Sequence, residues 1–284
     1  MSCDRRVLTV ANRKGGTGKT TTVVNLAAEM AARGRRVLVV DLDTQGHVAT
    51  GLGVTVDGGP GAHDVFSPRG PVLVEAIRGS SFGPDVIPAR TDFDASHVGA
   101  DHGRLARALS DGSLAGYERI LIDTPPSIDA ITMNALLAAD GVLIPLVPHH
   151  LAGEGVRQLS RLFFRAAMER GDHLGLMGLL PIMTDRRVRL QRQVLEELGR
   201  EFGERRILRG IRSDIRLAEA FAEGCPVRAH APRSRGAMDY YLLAEELRLL
   251  PAGGQASEAT GNREESAGTG RGRVEHGHAS GSAS

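Results

Sequence analysis

Lysine is almost missing from this chain. Of its 35 lysines and arginines only Lys14 and Lys19 are lysine, in a sequence of 284 residues. Tryptophan is absent and aromatic residues make up 4%, so little of the core can be built from rings. The two cysteines, Cys3 and Cys225, stand far apart with no CxxC motif or Cys/His ligand spacing around either. That pattern points away from a disulfide framework or a cysteine-rich cluster, and both thiols are expected to be structural or incidental. No apolar run approaches the roughly 18 residues of a membrane span. The short stretch Met1–Arg6 leaves no room for a signal peptide, so a cytoplasmic protein is expected.

Apolar residues at 41% and charged residues at 24% lie near globular averages, enough for a sizeable core without disulfides or metals. The net charge is +1. Short β-branched runs bounded by turn residues predict strands over 7–11, 37–41, 85–88, 120–123, 142–146, 176–182 and 207–211. Helical spacing predicts helices over 19–33, 127–139, 152–170, 190–202 and 237–250, with a short helix near 72–78 in an otherwise Gly- and Pro-rich stretch. Such alternation specifies an α/β fold, with a mostly parallel twisted sheet of about seven to eight strands and helices on both faces. Residues 1–250 read as one domain. In residues 251–284 only Val274 comes from the set Val, Ile, Leu, Met, Phe and Tyr. A disordered Gly/Ser-rich tail is expected there, because so little apolar area cannot offset the entropy of ordering.

Both lysines fall in Asn12–Thr21, between the first strand and the first helix. A chain that uses arginine everywhere else has kept the compact ammonium at two sites where a guanidinium fork is too large. Gly15, Gly16 and Gly18 allow backbone N–H groups, with those of Thr17 and Thr21, to wrap the phosphates of a nucleoside triphosphate. The helix N-terminus adds its positive dipole end, Lys19 reaches the β- and γ-phosphates, and the Thr20 hydroxyl meets Mg²⁺. The common GxxxxGK[ST] pattern fails at one position, where Arg13 replaces its first glycine.

KGGTGKTT resembles the deviant Walker A loop of the ParA/MinD superfamily of P-loop NTPases, in which an extra lysine precedes the glycine pair. Lys14 has that place. The resemblance implies an ATP-bound homodimer in which Lys14 crosses the interface to the other subunit's phosphates. Three further stretches extend the likeness over most of residues 7–248. VLVVDLDTQGHVATGLG, over 37–53, is similar to the family's switch segment. It implies that Asp43 orients the attacking water and Asp41 holds a water of the Mg²⁺ shell, with Thr44 and His47 departing from the usual proline and asparagine. ILIDTPPS, over 120–127, ends a hydrophobic strand in Asp123, the candidate Walker B carboxylate. The third stretch, within 207–227, implies adenine contacts near Thr184, Ile211 or Arg212.

Residues 157–216 hold 14 arginines against eight acids, so the rest of the chain is net negative. This asymmetry suggests a surface facing a polyanion. By resemblance the polyanion is double-stranded DNA bound without sequence preference, and Arg186, Arg187, Arg189, Arg192, Arg212 and Arg216 are the candidate contacts. Aromatics do not interleave with these arginines, which argues against base stacking on single strands. The resemblance thus implies a partition ATPase on the nucleoid, with ATP and Mg²⁺ as cofactors and a ParB-like centromere-binding partner. Cargo-positioning relatives stay open, whereas retention of Asp43 argues against a non-catalytic nucleotide switch. A membrane-bound MinD-type role lacks an apolar C-terminal helix, and iron–sulfur relatives need paired cysteines.

Overall fold

The computed structural model describes residues 5–67, 73–127, 129–171, 176–185 and 187–249. Arg186 and the expected tail, 251–284, lie outside the described residues.

Alternation along the strands decides the architecture. Val37 and Val39 face one hydrophobic cluster and Leu38 and Val40 another, all at most 1% exposed, so that strand is covered on both sides. In chain order the elements are β1 (Arg6–Val10), α1 (Lys19–Ala31), β2 (Val37–Asp41), α2 (His47–Gly51), β3 (Arg78–Gly79), β4 (Asp85–Ile87), α3 (Arg104–Leu109) and β5 (Arg119–Asp123). They continue with α4 (Ala130–Ala138), β6 (Gly141–Leu146), α5 (Ala152–Arg170), β7 (Leu176–Pro181), α6 (Arg189–Phe202), α7 (Ile215–Ala222), α8 (Val227–His230) and α9 (Arg235–Leu249). The sheet order is β3-β4-β2-β5-β1-β6-β7, parallel throughout except for the antiparallel pair of β3 and β4. One face is covered by α1 and α9, and the other by α3 and α4 and then α5 and α6.

The seven-stranded sheet among the described residues meets the expected fold class, with one correction. Residues 207–211 form no strand; they run beside β7 through isolated bridges at Leu179↔Ile207 and Thr184↔Arg212. Pro181 has no N–H to donate, so the ladder breaks between those two points. The predicted short helix near 72–78 is a 3-10 turn at Leu73–Ala76.

The topology places the site. From β1 the chain crosses to β2 on one side and later enters β6 on the other, and ligands of open α/β sheets bind at the carboxyl ends of strands around such a reversal. In the register of β2, β5 and β1, Asp41 pairs with Asp123 and Asp123 with Val10. Two aspartates and the start of the Lys14–Thr21 loop therefore end side by side.

Candidate active site

The loop is shaped by glycine and by one buried amide. Gly16 and Gly18 have φ of 70° and 69°, in the left-handed region where other residues are strained. A Cβ at Gly18 would stand 2.9 Å from Ile182 Cδ1, so the loop packs closely at this point on the residue that follows β7. Asn12 donates from Nδ2 to the Pro145 carbonyl (2.6 Å), and its Oδ1 accepts the Lys14 N–H (3.1 Å), which ties the loop to the end of β6. Gly18 is the N-cap of α1 and offers no side-chain cap. The first amides of α1 are thus left for an anion, as helix N-termini around phosphates require.

The two lysines part company here. Lys19 is 7% exposed, and burial lowers its pKa against the opposing pull of Asp123 and Asp43. Lys14 is exposed, with Nζ 2.9 Å from His149 Nε2. His149 Nδ1 accepts the Leu151 N–H (3.1 Å), so a neutral ring carries its proton on Nε2, the atom that faces the ammonium. Lys14 finds no lone pair there and is held weakly. Burial first, then the Lys14 charge and His150, pull the His149 pKa down, so the ring is neutral at pH 7.

The carboxylates sit beneath. Thr20 Oγ1 donates to Asp123 Oδ2 (2.7 Å), while Asp123 Oδ1 is buried without a hydrogen-bond partner. An orphaned carboxylate oxygen beside a threonine hydroxyl is a donor set that fits Mg²⁺, a hard cation of oxygen ligands. Asp41 accepts the N–H groups of Asp43 (3.0 Å) and Val48 (3.2 Å), one on each oxygen, and so fixes the backbone entering α2. Asp43 itself is partly exposed at the mouth. Next to it, α2 packs on α7, with His47 edge-on to Phe221 at a centroid distance of 6.1 Å.

Burial raises the pKa of Asp123 to about 7 and that of Asp41 well above its ordinary value, with their mutual repulsion adding to the effect on Asp41. Between the ordinary 3.8 and about 7 the folded chain holds the Asp123 proton and the unfolded chain does not, so stability falls as pH rises through that window. Thermal unfolding without nucleotide or metal is therefore expected to show a lower midpoint at about pH 8 than at about pH 5. In Asp123→Asn that drop should shrink, and an unchanged drop would show that the buried charge is not its cause.

The structure thus brings together Gly15–Thr21, Asp41, Asp43 and Asp123. Other candidates are placed differently. Ile211 is 1% exposed within the core, and its carbonyl accepts the Thr184 N–H (3.0 Å), so its side chain faces away from any ligand. Arg212 is engaged in a fork with Asp239, at 3.0 Å from Nε and 2.8 Å from Nη2, and Arg216 with Glu219 at 2.6 Å. Arg187, Arg189 and Arg192 are exposed and form no side-chain ion pair among the described residues. Sequence reasoning missed Asn12 and His149; a His-His pair just past the carboxyl end of a parallel strand was the available signal for the second.

A family model described as "AAA domain" matches residues 5–173. The chain is 38% identical over 251 residues to the chromosome partitioning protein ParA of Caulobacter vibrioides, covering 85% of this chain and 93% of the relative. It is 40% identical over 245 residues to the chromosome-partitioning ATPase Soj of Thermus thermophilus, covering 85% and 95%. Among solved structures, the septum site-determining protein MinD of Pyrococcus horikoshii, complexed with Mg-ADP, superposes with a TM-score of 0.70 at 26% identity, over 86% of this chain and 96% of that one. A phosphate loop on a parallel sheet, with aspartates at the ends of the flanking strands, is the site of a P-loop ATPase, and this protein is one. More narrowly, the chain belongs to the ParA/MinD-type family of these enzymes. Nucleotide and Mg²⁺ binding is established for that family.

Proposed function

We propose that this ATPase partitions DNA: it dimerises around ATP, coats double-stranded DNA without sequence preference, and is released when a ParB-like protein stimulates hydrolysis. The observation that carries the reading is the division of labour between the lysines. Lys19 is buried under its own loop, whereas Lys14 is exposed and weakly held, free to reach the phosphates of a second subunit.

Residues 1–250 act as the ATPase domain and 251–284 as an appended tail. Mg²⁺, when bound, would supply charge neutralisation to the triphosphate. Thr20 and Asp123 would hold the metal, Asp41 would hold a water of its shell, and Asp43 would orient the attacking water. Amides of Gly15–Thr21 bind the phosphates, and Lys19 with the partner's lysine offsets charge that develops on transfer. Thr184, Ile211 and Arg212 border the place proposed for adenine.

DNA contact falls to Arg187, Arg189 and Arg192, the candidate arginines that form no side-chain ion pair among the described residues, joined by Arg186 from the sequence alone. The first turn of α6 has no acidic residue, so cations and the positive helix end coincide there. That costs stability unless an anion is nearby. Two subunits presenting three arginines each are expected to give DNA affinity that falls steeply with salt, with a log–log slope of about −0.9 per phosphate contacted. Fluorescence anisotropy on a DNA duplex, with ATP and with ADP, checks this. Replacing the three arginines with alanine should abolish binding and leave the ATP dimer intact, and affinity independent of salt or of ATP would falsify the reading.

A further inference from the structure

Away from the nucleotide site, the turn between α7 and α8 gathers a mixed set of donors. Glu223, Cys225 and His230 each offer one ligand atom, and the three atoms lie within 4.8 Å of one another. His230 Nδ1 is 2.9 Å from a Glu223 carboxylate oxygen. Its Nε2 faces Glu219 at 3.4 Å, and Glu219 is in turn held by Arg216 at 2.6 Å. Cys225 is half-buried, with its thiol directed to the Ala220 carbonyl at 3.6 Å.

The turn is anchored on both sides. Gly224 has φ of 67°, and a Cβ there would stand 3.1 Å from the Thr50 carbonyl oxygen, so this backbone lies against the helix that follows the Asp43 loop. Val227 N–H donates to Asn25 Oδ1 at 2.7 Å, which fixes the start of α8 on α1. Of the three donors only the Glu223 side chain is free to swing, since it is exposed while the other two are partly covered.

We propose that Glu223, Cys225 and His230 form a binding site for a divalent cation of the zinc class. A thiolate, an imidazole and a carboxylate together select a borderline-soft metal over Mg²⁺ or Ca²⁺, which take oxygen ligands. Tetrahedral zinc sets such donors about 3.3–3.7 Å apart, from bond lengths of about 2.0–2.3 Å. Rotation of Glu223 closes the present spacing to that range, and the ion takes over the contact that now joins Glu223 to Nδ1. Glu219 is a positioning residue: it accepts the remaining ring N–H, the usual partner of a metal-bound histidine. Three protein ligands leave a fourth position open to water. An ion there links α7 to α8 directly behind α2.

Cobalt(II) titration of the full chain, reduced and free of nucleotide, tests the site without reference to partitioning. One cobalt per chain is expected, with a thiolate-to-cobalt charge-transfer band in the near ultraviolet that zinc abolishes. The band should persist in Cys3→Ser and in His276→Ala with His278→Ala, which remove the other thiol and the tail imidazoles, and vanish in Cys225→Ser. Glu219→Gln should weaken cobalt binding about 10–100-fold while leaving the band's shape unchanged. Retained ATP binding by Cys225→Ser and His230→Ala shows that both variants fold. Absence of a thiolate band in the wild-type chain, or its survival in Cys225→Ser, overturns the proposal.

Discussion

Asp43→Ala is expected to bind ATP, dimerise and stay on DNA, with turnover down about 10²–10⁴-fold, the range over which a positioned proton acceptor acts. Asp43 is suited to the removal because it carries little of the fold. Its carboxylate accepts one local bond, from the Gln45 N–H at 3.1 Å, and it is not part of the core. The neighbouring Asp41 is the opposite case, fully buried with two backbone N–H groups on its oxygens, and its loss would dismantle the entry to α2. An ATP-trapped dimer therefore reports on chemistry alone. Size-exclusion chromatography in ATP and in ADP, paired with turnover, reads both halves. A variant that remains monomeric in ATP would remove Asp43 from the hydrolytic step and place it in assembly.

Lys14→Ala should separate binding from assembly in the other direction. The side chain is exposed and weakly held by His149, so truncation costs little stability, and Lys19 with the glycine amides still receives the phosphates. Nucleotide affinity is expected to change less than about threefold, whereas ATP-dependent dimerisation and DNA binding are lost. Losing a charge-assisted contact at each of two symmetric sites removes on the order of 3–6 kcal/mol from the interface. Arginine at position 14 should fail as well, since a planar fork does not occupy the place of a compact ammonium. Nucleotide fluorescence and sedimentation give the two readouts. A Lys14→Ala protein that still dimerises with ATP would return the lysine to its own subunit's site.

Much of this is legible in the sequence itself. Each strand buried on both faces announces itself by a continuous aliphatic run, as in residues 37–41, and the helix over 152–170 ends where a glycine follows its apolar stripe. The phosphate loop was legible because its chemistry is local, with glycines, lysine and threonine within ten residues. Residues 207–211 misled for a physical reason. Their aliphatic pattern is that of a strand, and only the partner's Pro181, an element away, denies the ladder. Arg212 and Arg216 misled similarly, for a charge count cannot say which cations are already matched, and Asp239 and Glu219 match these two. The Cys225 cluster escaped notice because two of its members belong to different short helices' ends and the third to the turn between them, a nearness created by folding.

The buried pair of aspartates at the ends of β2 and β5 has a consequence for the life of the molecule. An empty subunit carries two carboxylates in a dry place with one oxygen unmatched, and loading relieves them. A ligand at a hundred times its dissociation constant adds about 2.7 kcal/mol to a domain that binds it only when folded. Each turnover therefore loosens the protein as well as discharging it, and a subunit waiting to be refilled is the form most open to proteases.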